Sequence, residues 1–528
     1  MFLLPPGSAR RGVVIVVLSL LVVAAVYRKT PMNFFRAESG WFLVESVSSK
    51  ERQDKFQRDF FMRSYGGHYT PLAFIAEFQA AKLAGTNESF WKWRQILVLG
   101  LVAAALCGTV SGIASLFQLS RWGGWAIGAA LAAGAVFRPE VMELISWPFM
   151  IFQLLWIAFF IPALYAAVRV ASAPEQSRWP WIAVLSACAS LQVSGLGLVT
   201  VAAVSAVFFG LLLVAMHSPS AMYGPHRKRI ATALITLLGV AAIHGWAMLH
   251  LLPPHPTFSA PFRSICRLFL GFIANLAAAA AHTFMATAIS EPDWRSLGYA
   301  WPYGVLVIAA SVLLIFWLVR KAFREPTPRN LTWCALHIFS ISAFFAFIGL
   351  AAVRQLQAAP SLDQAWMSLT YTTVYPRYIV PLHFTVIGSA IGAAVWLMQR
   401  APRLAPAAFA VLVLAAITAQ KDFQVTTFPY REPVWRISHG AAWRLVLATV
   451  RECRMAQLPV PNIPLGVLTQ GWMDADMRVM EPLIRRDLRL APEEKMEMIG
   501  WEEYTAQRER YATVPSLRLL EAKMLRYE

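Results

Sequence analysis

Charge is what this 528-residue chain has least of: Asp, Glu, Lys and Arg make up 14% of it, against roughly 25% in an ordinary soluble domain. Acids are scarcer than bases, 29 against 47, so the formal net charge is +18. Cysteine is also scarce. The five thiols, at 107, 188, 266, 334 and 453, follow no metal-ligand spacing, and four lie in or beside apolar runs, where a thiol packs as a small hydrophobe. No Gly-rich loop ends in Lys-Ser or Lys-Thr, which argues against a P-loop nucleotide site. No repeat of about 20–50 residues occurs, which argues against a solenoid. His244, His250, His255 and His282 form no ligand constellation for zinc.

What the chain has in excess is apolar sequence, 58% of residues with a mean hydropathy of +0.52. It is gathered into long runs with almost no charge: Gly12–Tyr27, Ile96–Leu119, Ile151–Val168, Leu196–Met216, Ala231–Leu252, Val305–Val319, Ile338–Val353, Tyr378–Met398 and Pro406–Ala419. Spanning hydrocarbon as helix takes roughly 20 such residues, and polar or aromatic flanks complete the shorter runs. The expectation is an all-α polytopic membrane protein. Lys421–Glu528 holds 16 cations against 15 acids, so the positive excess lies in the membrane part. It sits in short linkers such as Arg10-Arg11, His226-Arg227-Lys228-Arg229 and Arg320-Lys321. That is the pattern of cytoplasmic loops, not of a nucleic-acid surface.

With those linkers inside, the N-terminus is cytoplasmic and the chain makes about eleven crossings of the plasma (inner) membrane. Residues 1–420 form the multi-span domain, with an extracytoplasmic first loop at 28–95. Residues 421–528 form a small extracytoplasmic α or α/β domain, where Ala491–Ile499 and Ser516–Tyr527 suit short helices. The segment Leu270–Ile289 within 253–302 reads as re-entrant or interfacial, because a span there would invert the charge rule. Arg10-Arg11 and the apolar run after it resemble a signal peptide, but no small-x-small site follows at Ala25-Val26-Tyr27, so a retained first helix is expected. Asn87-Glu88-Ser89 fits a glycosylation acceptor.

In this topology Glu38, Glu45, His68, Tyr69, Glu140, Glu143, Asp363 and Arg377 all fall outside or at the outer interface. Four segments stand out. Ala37-Glu38-Ser39-Gly40-Trp41-Phe42-Leu43 follows the first span. Gly66-Gly67-His68-Tyr69-Thr70-Pro71-Leu72 and Arg138-Pro139-Glu140-Val141-Met142-Glu143-Leu144-Ile145-Ser146-Trp147 come next, and Tyr375-Pro376-Arg377-Tyr378 opens a late span. Their order and content resemble the polytopic GT-C glycosyltransferases, including bacterial members and the protein O-mannosyltransferase-like group. That family carries an acidic pair after the first span, a Gly-x-Tyr-x-Pro-Leu element, a Pro-x3-Glu-x3-Trp element and an Arg-Tyr pair. Here Ser39 stands in the place of the second acid.

The resemblance implies transfer of a sugar from a polyprenyl-phosphate donor to an extracytoplasmic acceptor, a glycan, lipid or protein. Glu38 would be the base that takes the acceptor's proton. Arg377, with Tyr378, would hold the donor phosphate through charge-assisted hydrogen bonds. Glu45, His68, Tyr69, Glu143 and Trp147 complete the candidate site. No metal site is expected from ligand spacing, although acids and a lipid phosphate could share a divalent cation. Plainer roles stand beside these: His68 and Tyr69 fixing a turn before Pro71, and Glu143 capping or pairing. Two other readings are a lipid or glycan transporter, which calls for related halves that the sequence does not display, and a non-catalytic relative, which Ser39 favours.

Overall fold

The structure, a computed structural model, describes residues 9–62, 69–138, 141–217, 226–251, 294–358, 376–411, 413–414, 439–465, 476–491 and 493–524. The described chain is mostly helical. Five helices are long and apolar enough to cross a membrane: Glu88–Leu116, Pro148–Ser172, Gly197–His217, Arg227–Met248 and Pro328–Leu350, with Gly12–Tyr27 a shorter apolar helix. Large apolar side chains stand on the outer surface of the bundle, among them Leu18, Trp122, Leu185, Ile243 and Phe316. Water would penalise such a surface, and lipid does not. Not every one of the crossings expected from the sequence reaches span length. Arg121–Val136 and Arg178–Val193 have 16 residues each, about 24 Å at 1.5 Å per residue, against a hydrocarbon core of about 30 Å. The segment Leu270–Ile289, expected to be re-entrant or interfacial, lies outside the described residues.

The centre is built from α1 (Ala9–Tyr27), α5 (Glu88–Leu116), α6 (Arg121–Val136) and α8 (Ile151–Ser172). Helix α5 packs against the other three. It begins earlier than its apolar run, because Asn87 caps it by accepting the Phe90 N–H at 3.2 Å. Small residues let α6 lie close. A Cβ at Gly128 would stand 2.7 Å from the Cys107 carbonyl oxygen, so the two backbones touch. Helix α8 is buried on most of its surface. Beyond it come α9 (Arg178–Val193), α10 (Gly197–His217) and α11 (Arg227–Leu251), then α12 (Trp294–Arg324) and α13 (Pro328–Ala358).

The expected single span Tyr378–Met398 is broken into α14 (Pro376–Thr385) and α15 (Ile387–Arg400). At the break, the Ser340 hydroxyl oxygen accepts the Ser389 N–H at 3.0 Å. A Cβ at Gly388 would come within 2.8 Å of the Leu336 carbonyl oxygen, so α15 starts directly on the α13 backbone.

One end of the bundle carries a cap. The first loop folds into α2 (Ala37–Ser46), α3 (Lys50–Met62) and α4 (Pro71–Ala84), and the second contributes α7 (Val141–Ser146). Among the described residues the C-terminal segment adds α16 (His439–Met455), α17 (Met477–Leu488), three shorter helical pieces and two strands of two residues each. Of the two tail helices expected, Pro515–Met524 forms. Ala491–Ile499 does not. Its last two residues are strand instead: Met498–Ile499 pairs in parallel with Val460–Pro461, the Val460 N–H donating to the Glu497 carbonyl at 2.8 Å.

Candidate functional site

The cap is held to the bundle by backbone groups that lie beyond helix ends and need partners. The Tyr27 hydroxyl donates to the Val136 carbonyl at 2.6 Å, tying α1 to the end of α6. The Asn33 N–H donates to the Ser146 carbonyl at 2.7 Å. The Gln95 amide, on α5, donates to the Leu144 carbonyl at 2.7 Å and the Trp147 carbonyl at 3.2 Å. These contacts set the first loop, α7 and the ends of α1, α5, α6 and α8 at the same end of the bundle.

Within that cap, residues 33–39 and 143–149 face each other. The Arg36 guanidinium lies 3.2 Å from a Glu143 carboxylate oxygen and 4.1 Å over the Trp147 ring. The Glu143 side chain is 1% exposed and that of Arg36 12%. Three residues on, the buried Ser39 hydroxyl accepts the Phe149 N–H at 3.1 Å. Glu38, half-buried on the first turn of α2, therefore sits between two anchors to the second loop. Its backbone is set by Ala37, whose φ of +43° is a left-handed conformation that costs a residue with a Cβ about 1–2 kcal/mol. Gly40 is needed on the other side, since a Cβ there would stand 2.4 Å from the Phe35 carbonyl oxygen.

A histidine from the tail completes the cluster. His439 is fully buried. Its Nδ1 accepts the Phe35 N–H at 3.0 Å, and the backbone N–H of His439 donates to the Met32 carbonyl at 3.2 Å. Accepting at Nδ1 places the ring proton on Nε2. Burial, and then the neighbouring Arg36 charge, push its pKa down to about 3, so the ring is neutral.

The other sequence-predicted residues fall in different surroundings. Glu45 is buried and committed to Arg52, whose Nε donates to both carboxylate oxygens at 3.0 and 2.8 Å. Tyr69 faces His244 of α11, ring centroids 5.7 Å apart. Arg377 and Tyr378 begin α14, which packs on α7 and so brings this end of α14 to the helix that carries Glu143; their side chains, like His68, Glu140 and Asp363, lie outside the described residues. Arg36, Ser39 and His439 are members that sequence reasoning missed. Arg36 had a signal in its position two residues before Glu38, whereas His439 had none.

Beside the cluster, Glu77 of α4 is 1% exposed and pairs with Arg94 at 2.5 Å. Arg94 also donates to the Pro148 carbonyl at 2.9 Å. Burial raises the Glu77 pKa, against the pull of Arg94. No group of three or more His, Cys, Asp or Glu side chains that could hold a metal occurs among the described residues. Chemically, the cluster offers a carboxylate on a rigid turn, a guanidinium and an indole at a bundle end. In comparisons with known proteins, no family model, no curated protein and no solved structure matches this chain.

Proposed function

We propose that the chain is a membrane glycosyltransferase of the GT-C kind, moving a sugar from a polyprenyl-phosphate donor to an extracytoplasmic acceptor. In this reading the cap lies outside the plasma membrane, the N-terminus is cytoplasmic and the chain makes about eleven crossings, as the positive-inside rule would have it. The opposite bundle end supports that orientation: Arg121, Arg169, Arg178, Arg329 and Arg400 stand at helix ends there.

One observation carries the assignment. Glu38 is held between the Arg36–Glu143 contact and the Ser39–Phe149 hydrogen bond, on a backbone strained at Ala37. A carboxylate positioned at a membrane face is what proton removal from an acceptor hydroxyl requires. Arg377 is the proposed phosphate anchor, with Tyr378 beside it, and Arg36, against Glu143 of α7, is a second cation in the cap. The place where the family has its second acid is buried here and serves as an anchor, so Ser39 answers to packing.

The experiment is sugar transfer from radiolabelled polyprenyl-phosphate sugars by purified protein in nanodiscs. Glu38→Gln keeps shape and should lower transfer by about 10²–10⁴-fold with donor binding near that of the parent. Glu45→Gln should have a far smaller effect, because its role is the pair with Arg52. Full activity of Glu38→Gln would remove Glu38 as the base. No transfer by the parent from any donor would leave the non-catalytic reading, which the internal pairing of Arg36 with Glu143 also favours.

A further inference from the structure

A second feature runs along the side of the bundle, from the end opposite the cap toward it. Helices α1 and α6 flank α5 without closing over it, leaving a cavity of about 910 Å³. That is near the top of the ligand-sized range, roughly 300–1,000 Å³. Val14, Leu18 and Val22 line it from α1, Cys107 from α5, and Ala129 and Ala133 from α6. Val14 and Leu18 are each 54% exposed, so the cavity opens sideways, in the direction of lipid. From Arg121 to Phe137 it runs along 16 residues of helix rise, about 24 Å.

Its two ends differ. At the Phe137 end the Val136 carbonyl is occupied by the Tyr27 hydroxyl, and the walls are apolar. At the other end Arg121 lines the cavity. It is the first residue of α6, where the helix dipole also favours an anion. Trp125 lines the same end, and Trp122 beside it is 86% exposed. An arginine beside exposed indole rings marks the level of lipid headgroups.

We infer that the α1–α5–α6 groove is a binding site for an anionic glycerophospholipid, its phosphate on Arg121 and an acyl chain lying along the groove toward Phe137. The charge at one end gives the headgroup its sign. The length suits an ordinary acyl chain and falls short of a much longer polyprenyl chain. The site is independent of the glycosyltransferase reading and uses none of its residues.

The test is native mass spectrometry of the full-length protein released from micelles, titrated with phosphatidylglycerol, phosphatidylcholine of the same chains, and a polyprenyl phosphate. The parent should retain phosphatidylglycerol about fivefold more tightly than phosphatidylcholine, the ratio equivalent to roughly 1 kcal/mol for one basic residue at an anionic surface. Arg121→Gln should bring that ratio to about one. Ala129→Trp, at an exposed position on the groove wall, should weaken both lipids; if it does not fold, Val14→Trp fills the groove from the facing wall with the same expectation. Equal retention of the two phospholipids by the parent, or a ratio unchanged by Arg121→Gln, overturns the inference. Preferential retention of polyprenyl phosphate over phosphatidylglycerol also overturns it and gives the groove to a different lipid.

Discussion

Glu77 and Arg94 show how one buried pair ties a loop to a membrane helix. The Glu77 carboxylate is out of water and its pKa is raised by burial despite the guanidinium 2.5 Å away. Desolvation therefore outweighs attraction, and the pair is worth little against a neutral substitute. Removing one partner is a different matter. Arg94→Met leaves a buried carboxylate that has lost its cation, and should cost about 3–5 kcal/mol, read as a lowered denaturation midpoint. Glu77→Gln in the same chain should recover most of that loss. The single variant should also be less damaged at low pH, where Glu77 takes a proton. A double variant no more stable than Arg94→Met would mean that Arg94 acts through the Pro148 carbonyl and the Trp91 ring, over which it lies at 4.6 Å.

At the scale of elements, glycine decides which helices touch. Gly128 brings α6 onto α5 with no room for a methyl group, since the nearest atom is a backbone carbonyl oxygen that cannot rotate away. Gly239, on α11, has no heavy atom within 4 Å of where its Cβ would be. The same substitution should then have opposite signs. Gly128→Ala should destabilise by about 1–3 kcal/mol through overpacking, while Gly239→Ala should be neutral or gain up to about 1 kcal/mol from helix propensity. Thermal unfolding of both variants in one detergent makes the comparison. Equal effects would show that the α5–α6 approach yields easily.

For the whole molecule, the C-terminal segment is part of the cap. The Asp487 carboxylate accepts from the Thr86 hydroxyl at 2.6 Å and the Trp443 indole at 2.7 Å, and His439 is buried among Phe34, Phe35 and Trp443. This makes stability depend on pH. Unfolded, the ring takes a proton below about pH 6.5; folded, its pKa is about 3. The contribution is intact above about pH 6.5 and is lost progressively as pH falls toward 3, because the unfolded chain then binds the extra proton. His439→Asn retains an acceptor for the Phe35 N–H and does not titrate. Its melting temperature should fall less than the parent's between pH 7.5 and 5. Parallel pH profiles would show that His439 is not what makes the cap acid-sensitive.

The amino-acid sequence determined the helical membrane character, because the length and apolarity of a run are set by consecutive residues and a bilayer selects on those alone. Asn87, which caps α5, Ser120, whose hydroxyl accepts the Gly123 N–H to cap α6, and the gathering of short basic linkers belong to the same local information. Tertiary structure alone decided the rest. Nothing near Ser39 or Glu143 in the chain distinguishes an anchor from a catalytic acid, since that difference lies in the facing segment 110 residues away. Glu45 reads like Glu38 until Arg52 is found on it. His439 joins Phe35 across 404 positions, and such a contact leaves no periodicity or spacing to read. Likewise the Arg121 groove exists only because Gly128 seats α6 against α5 while α1 packs on α5 without covering the space between them. Its side chains are ordinary helix residues in sequence, and only the packing of three helices gives them a common ligand.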